Sequence, residues 1–290
     1  MATDPAPQPT PHPASEATPA TAHPLDSRLA TRFNLIGTEV SAITFDETVD
    51  ALLDAPTAGR PSDQRALSVH FCPVHTIVEA RRDPTLAALL NAADVVAPDG
   101  VPVAWIGRLR GQRITRVCGP DLMLAVLDRG RARDASHYLY GGAEGTPERL
   151  AERLTALLPG LRIAGLESPP FRPLTPAEDQ AAVDRINASG AGYVWIGLGS
   201  PKQDRWVADH RHRLDAAAVL AVGAAFDFHA GSVARAPRWM QRSGLEWLYR
   251  FGSEPRRLWR RYTVSNARFA AYLALDALRT LPFPRRRPSR

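Results

Sequence analysis

With 290 residues, of which 44% are hydrophobic and 23% charged, the chain has enough apolar material for one large domain or two small ones. No stretch reaches the roughly 18 consecutive apolar residues of a membrane-spanning helix. The N-terminus lacks the basic start and apolar stretch of a signal peptide. Cys72 and Cys118 match no zinc or redox spacing, so we interpret them as reduced core thiols of a cytosolic protein.

Composition and charge divide the chain into four segments. Residues 1–27 are rich in Pro, Ala and Thr and are predicted to form a disordered leader. Residues 28–234 are predicted to form an α/β domain, 235–280 a basic, aromatic, helical appendage, and 281–290 a disordered basic tail. Residues 235–290 contain 14 arginines and three acidic residues, whereas the whole chain carries only +6. The preceding part therefore sums to −5, and the positive charge is concentrated at the C-terminal end.

Strand-like and helix-like segments alternate through the middle of the chain. Strands are predicted in the first half of 66–80 and within 94–100, 137–142, 161–168, 191–200 and 217–228. Helices are predicted in the second half of 66–80, continuing through 81–93, and within 119–132, 146–160, 175–190 and 201–214. Thr146 and Thr175 are predicted as N-caps. This alternation predicts βαβ units, and so a Rossmann-like, largely parallel sheet flanked by helices.

Loops rich in glycine or polar residues follow four of the predicted strands, at 98–100, 140–146, 197–204 and 223–231. In α/β folds, ligands bind outside the carboxyl ends of the strands. Glycine lets the backbone approach a ligand closely, and the N-terminus of the following helix attracts phosphate. These loops predict a site for a nucleoside diphosphate, although structural turns also require glycine.

The segment WIGLGSPKQDRW, residues 195–206, contains the only lysine of the chain, Lys202. Gln203 follows it, which is incompatible with a Walker A loop. Lys202 itself stands where a dinucleotide fingerprint requires a third glycine, which argues against a dehydrogenase. Either this lysine survived by chance in an arginine-rich chain, or a compact ammonium fits this turn better than a planar guanidinium.

Three aspartates are candidates for chemistry. Asp99 ends a predicted strand, where its side chain would either point into a cleft or bond its own backbone in an Asp-Gly turn. Asp227 follows an apolar strand in a similar way, whereas Asp121 is expected to stabilise a helix N-terminus. His70, His75 and His229 lack the i, i+4 partners of a metal site, so we interpret them as non-ligands.

Five segments in order resemble the WecG/TagA/CpsF family of bacterial glycosyltransferases. They are PDGVPVAWIGRLRG, RVCGPDLM, YLYGGAEG, WIGLGSPKQDRW and VGAAFDFHAGSVARAPRWMQRSGLEWLYRFGSEPRRLWRRY. The resemblance covers about residues 33–262. Its most distinctive positions are Arg235-Ala236-Pro237, Gly244, Glu246-Trp247, Arg250, Glu254-Pro255 and Arg260.

The resemblance implies transfer of an N-acetylmannosamine-type or glucose-type sugar, with inversion, from a UDP-sugar to a polyprenyl-diphosphate-linked acceptor. The products would be cell-surface polysaccharides or teichoic-acid-like polymers. It also implies a TagA-type glycosyltransferase fold and no required metal or other cofactor. The chain has no Asp-x-Asp sequence, so positive side chains are expected to stabilise the leaving diphosphate.

The resemblance implies roles for individual residues. Asp99 would be the general base. The arginines expected to act in catalysis are Arg250, Arg257 and Arg260. The residues expected to bind substrate are Thr76, Gly100, Arg108, Gly141, Gly142, Gly199, Pro201, Lys202, Gln203 and Asp227. For Lys202, direct contact with phosphate and shaping of the turn both stay open.

One position departs from the family pattern. Members carry a Thr-x-Asn stretch in the first strand-to-helix loop, where this chain has Phe71-Cys72-Pro73. Thr76 or His75 is expected to compensate. The alternative is a catalytically silent paralogue that binds a UDP-sugar or a lipid.

Aromatic residues alternate with arginines at the basic end of the chain, from Trp247 to Tyr262. This pattern suits an anionic membrane surface, and arginine with aromatics also suits nucleic acid. We favour the membrane and predict no nucleic-acid partner. The expected location is cytoplasmic, at the inner face of the bacterial plasma membrane.

Overall fold

The computed structural model describes residues 27–55, 65–243, 245–253, 256, 259 and 263–280. The predicted tail, and all of the predicted leader except Ser27, lie outside these residues. The strands are β1 Arg32–Leu35, β2 Thr38–Ser41, β3 Leu67–Phe71, β4 Val95–Ala97, β5 Ser136–Gly141, β6 Arg162–Glu167, β7 Tyr193–Gly197 and β8 Ala218–Ala221.

Helices occur after most strands and along the C-terminal part. They are α1 Ser27–Ala30, α2 Phe45–Asp54, α3 Val74–Ala80, α4 Pro84–Asn91, α5 Val101–Leu109, α6 Gly119–Gly130, α7 Thr146–Leu157, α8 Pro176–Ala188, α9 Lys202–His210, α10 Ala225–His229, α11 Arg238–Arg242, α12 Glu246–Ser253 and α13 Ser265–Thr280.

Six of the strands form one parallel sheet in the order β4-β3-β8-β7-β5-β6. Strands β3 and β8 are buried along their whole length, as expected for strands covered by helices on both faces. One face packs against α2, α6, α7 and α10, and the other packs against α8 and α9. The predicted parallel α/β sheet flanked by helices is therefore confirmed.

A third apolar cluster lies beside the sheet. The antiparallel hairpin of β1 and β2 packs there with α3, α4 and α5. Phe269 of α13 is buried in the same cluster, and Arg81 of α3 lies over the ring of Tyr272. This packing places α13 against α3.

Two local predictions were wrong. Helix α7 begins at Thr146 itself, because Gly145 adopts a left-handed conformation (φ +75°) and takes the capping position. The strand predicted over 217–228 ends at Ala221, and Ala225–His229 is helical. The helix forms because it buries Phe226 and Ala230, one turn apart, in the core.

Two other predictions, the cap of α8 and the burial of the two thiols, were correct. Thr175 caps α8 in a reciprocal capping box with Glu178. Cys72 and Cys118 are buried free thiols, and burial raises the pKa of both. Within the described ranges, no helix combines the length and apolarity needed to cross a bilayer.

Candidate active site

The strand order defines where a ligand can bind. The connection from β5 leads outward to β6, whereas the connection from β7 leads in the opposite direction to β8. Such a reversal opens a crevice at the carboxyl ends of the neighbouring strands β5 and β7. A cleft of about 1,020 Å³ lies at this edge, and the loops after all six strands line it. Its size suits a small-molecule ligand.

The floor of the cleft is formed where β5 and β7 meet. Gly141 pairs with Gly197 in the sheet register, and the Gly142 N–H donates to the Gly197 carbonyl at 2.9 Å. A Cβ atom on Gly197 would lie 2.7 Å from the ring of Phe226, and one on Gly141 would lie 2.6 Å from the Gly197 carbonyl carbon. Only glycine therefore fits at either position.

The turn between β7 and α9 is held from below by a buried aspartate. Asp204 accepts hydrogen bonds from His70 Nδ1 at 2.9 Å and from the Ser200 hydroxyl at 2.7 Å. Gln203 is also buried and donates through its side-chain amide to the Ala221 carbonyl at 2.7 Å. Lys202, the first residue of α9, is exposed on this anchored turn and lines the cleft. The turn thus presents an ammonium group at a helix N-terminus, a favourable place for an anion.

Asp99 lies at the opposite side of the cleft, in the turn between β4 and α5. Gly100 adopts a positive φ of +103° and caps α5. Strands β4 and β7 are separated by β3 and β8, so their ends lie about 14 Å apart at ordinary strand spacing. The half-buried carboxylate and the exposed ammonium therefore stand at two ends of one cleft.

A network of charged side chains lies in the lining of the cleft. Glu246 of α12 accepts from Arg116 at 2.7 Å and from Arg235 at 3.1 Å. Arg235 also donates to Asp121 at 2.5 Å, and the Cys118 thiol donates to the same carboxylate at 2.8 Å. These bonds join the C-terminal helices to the loops of the sheet.

The network also perturbs the ionisation of its members. Burial by itself lowers the pKa of Arg116, but the charge of Asp99 and the hydrogen bond and charge of Glu246 oppose this effect, and that pKa is raised overall. Burial tends to raise the pKa of Asp121, yet hydrogen bonds from Arg235 and Cys118 lower it overall. Both side chains are therefore held in their charged forms.

A second, smaller cavity of about 480 Å³ adjoins the cleft. Helix α5 supplies Trp105 and Arg108 to its wall, and α11 supplies Gln241. Val101 and Arg116 line both spaces. The cavity therefore adjoins the side of the cleft that holds Asp99.

Half of the predicted site residues line the main cleft. Those lining it are Asp99, Gly100, Gly142, Gly199, Lys202, Gln203 and Asp227. Gly141 lies in the floor, the exposed Pro201 caps α9 after a cis peptide bond, and Arg108 lines the smaller cavity. Thr76 is buried with its hydroxyl against His75, and it is His75 that lines the cleft.

The three predicted arginines are only partly accessible to description. Arg250 lies in α12, and Arg257 and Arg260 lie outside the described residues. The role of Arg116 was missed from the sequence. The sequence around Arg116 does not distinguish it from the other arginines. Its position just before the turn into α6 brings it to the cleft, and this is visible only in the fold.

Among the described residues, no group of three or more His, Cys, Asp or Glu side chains is arranged to hold a metal ion.

Comparison with known proteins gives two findings. Residues 33–282 match the model of the glycosyl transferase WecG/TagA/CpsF family. A relative from Bacillus spizizenii (strain ATCC 23059 / NRRL B-14472 / W23) is 33% identical over 184 residues, which cover 63% of this chain and 69% of the relative. That relative is described as N-acetylglucosaminyldiphosphoundecaprenol N-acetyl-beta-D-mannosaminyltransferase.

Proposed function

Because the chain belongs to the WecG/TagA/CpsF family of glycosyltransferases, we propose that it transfers a sugar from a UDP-sugar to a polyprenyl-diphosphate-linked acceptor with inversion. The relative named above acts on an acceptor of this kind and transfers N-acetylmannosamine. An N-acetylmannosamine-type donor is therefore the first choice, and a glucose-type donor the second. The product would be an intermediate of a cell-surface polysaccharide or a teichoic-acid-like polymer.

The observation that carries this proposal is the placement of Asp99 and Lys202 at two ends of one cleft. A UDP-sugar lying across the sheet would put its diphosphate near the β7–α9 turn and its sugar toward β4. The acceptor would then approach from the side of Asp99 and the smaller cavity. This arrangement separates the leaving group from the base, as a single displacement requires.

The proposed reaction has one bond-forming step. Asp99 accepts the proton of the acceptor hydroxyl while that oxygen attacks the anomeric carbon of the donor. The bond from the anomeric carbon to the diphosphate oxygen breaks on the opposite face, and UDP leaves. Lys202 and the N-terminus of α9 stabilise the charge that develops on the diphosphate. Arg250, Arg257 and Arg260 are proposed to add positive charge from the C-terminal segment.

The main test is UDP release from a panel of UDP-sugars in the presence of EDTA and a synthetic polyprenyl-diphosphate-sugar acceptor. Asp99→Asn should lower acceptor-dependent release by about 10²- to 10⁴-fold, the usual contribution of a general base, with UDP affinity preserved. The exposed Asp209 is a matched control, and Asp209→Asn should leave release unchanged. Full activity of Asp99→Asn would refute its role as the base.

Lys202→Ala tests the other end of the cleft. Removing the ammonium should weaken UDP binding about 10-fold or more, measured by calorimetry. Unchanged affinity would assign Lys202 to shaping the turn rather than to contact with phosphate.

A catalytically silent paralogue is the second candidate function. It is favoured by Phe71 and Pro73, which line the cleft where members of the family carry polar Thr and Asn. UDP binding without transfer from any donor to any acceptor of the panel would support this candidate.

We also propose that the basic C-terminal segment attaches the protein to an anionic membrane at the cytoplasmic face. The support is the charge of residues 235–290 and the exposed Trp239, Trp247 and Trp259. Each basic residue near such a surface contributes about 1 kcal/mol. Binding to anionic liposomes that is lost with salt, without comparable binding to DNA, would support this location; preferential DNA binding would contradict it.

A further inference from the structure

Helix α5 carries an exposed apolar stripe that starts beside the proposed base. Val101, Trp105 and Leu109 are 40%, 62% and 72% exposed. They are spaced four residues apart, so they lie along one face of the helix. The other side of α5 is already buried through Val103, Ala104 and Gly107. The stripe is therefore surplus to the packing of the fold in the described part of the chain.

The stripe borders the smaller cavity, which is positively charged. Trp105 forms a wall of this cavity, and Arg108 and Arg116 line it. Residues 100–118 contain four arginines and no acidic residue. Asp121 also lines the cavity and is bonded to Arg235, while Arg116 is bonded to Glu246. With these partners counted, Arg108, Arg116 and Arg235 face two carboxylates, which leaves a net charge of +1. The cavity thus combines a cationic wall with the apolar stripe of α5.

We infer that this groove binds the lipid diphosphate part of the acceptor, with the diphosphate between Arg108 and Arg116 and the first isoprene units along Trp105 and Leu109. The inference rests on the proposed function and extends it to a part of the catalytic body. An acceptor whose hydroxyl is at Asp99 would have its diphosphate and then its chain directed away from the base. The stripe runs in that direction for about 12 Å, since eight helical positions separate Val101 from Leu109.

Proximity to the reaction site favours the acceptor chain over a bilayer surface as the occupant. Val101 and Arg116 belong to both the cleft and the cavity. Gln241 of α11 also lines the cavity, and its backbone carbonyl accepts a hydrogen bond from Arg116 at 3.2 Å. The stripe therefore borders a groove that is lined by both α5 and α11, which suits a single extended chain.

The test compares two acceptors with the same diphosphate-sugar head, one bearing a farnesyl chain and the other a methyl group. Wild-type protein should have a lower KM for the farnesyl acceptor. Trp105→Ala should raise that KM about 10-fold and leave the KM values for the methyl acceptor and the UDP-sugar within about two-fold. Leu109→Ala should act in the same direction with a smaller effect. Leu157, 61% exposed on α7, supplies the matched control, and Leu157→Ala should change none of these values.

Several outcomes would overturn the inference. Equal KM values of the wild-type protein for both acceptors would show that no chain contact exists. An equal effect of Trp105→Ala on both acceptors would show a general structural role. If Trp105→Ala lost binding to anionic vesicles in parallel with its rise in KM, the stripe would be assigned to the bilayer instead. Failure of the wild-type protein to transfer to either acceptor would refute the proposed function itself, and thermal melting of each variant separates misfolding from a binding defect.

Discussion

Substituting Gly197 by alanine tests the construction of the cleft floor. The new methyl group would lie 2.7 Å from two atoms of the Phe226 ring, and this ring is 1% exposed and enclosed by the core. Overpacking of this kind costs about 1–3 kcal/mol. The loss of backbone freedom in the unfolded chain returns about 0.4–1 kcal/mol. Because a 2.7 Å contact with an enclosed ring belongs at the upper end of that range, the expected net loss of unfolding free energy is about 2 kcal/mol.

A control separates this steric cost from the cost of backbone conformation. Gly160 has a φ of +85° with nothing within 4 Å of its Cβ position. The only cost of Gly160→Ala is therefore that of the left-handed conformation, about 1–2 kcal/mol. The loss of backbone freedom in the unfolded chain reduces this cost by the same amount as for Gly197→Ala. Its expected net cost is about 1 kcal/mol or less. At about 2 °C per kcal/mol for a chain of this size, the midpoints should fall by about 4 °C for Gly197→Ala and about 2 °C or less for Gly160→Ala.

Thermal melting followed by circular dichroism measures both variants, and UDP affinity provides a second measurement. Gly197→Ala should also weaken UDP binding, because the displaced ring of Phe226 lies in the cleft wall, whereas Gly160→Ala should bind UDP normally. In the double variant Gly197→Ala/Phe226→Leu, the smaller side chain should remove most of the steric cost. The two substitutions should therefore show a coupling energy. If Gly197→Ala melts no lower than Gly160→Ala, the close packing of the floor against Phe226 is refuted.

Two further predictions concern ionisable groups. Burial lowers the pKa of His137 to about 3, so the folded state keeps it neutral and the Trp195 indole N–H can donate to its Nδ1 at 3.3 Å. In the unfolded chain His137 takes up a proton below its ordinary pKa near 6.5, so the free energy of unfolding should fall as the pH drops from 6.5 toward 3. Denaturant melts of His137→Gln should show a shallower dependence of this free energy on pH. An identical slope would contradict the neutral, buried state of His137. Glu246→Gln removes the carboxylate that Arg116 and Arg235 share. It should cost about 1–3 kcal/mol, less than a fully buried pair, and should lower kcat/KM for transfer. An unchanged melting midpoint together with unchanged kinetics would show that the network does not support the cleft.

The alternation of apolar strands with amphipathic helices was sufficient to predict the parallel sheet, because these patterns reflect burial within single elements. The β1–β2 hairpin was not predicted, although its strands pair directly across the two-residue turn Ile36-Gly37. Both turn residues have positive φ, +56° and +90°, and such turns usually carry Asn or Asp before Gly. A β-branched residue in the left-handed region is an exception, so the usual turn signal was absent.

The sequence by itself determined the six strands of the parallel sheet and the polar loops that end them, including those of Asp99 and Lys202. Both depend on patterns a few residues long, and a parallel sheet necessarily collects such loops at one edge. The tertiary structure alone decided that Gly141 and Gly197 meet, and that Arg116 and Arg235, among 35 arginines, share the carboxylate of Glu246. Arg116 and Glu246 are 130 positions apart. Contacts of this kind follow from the order of the strands, which no local pattern encodes.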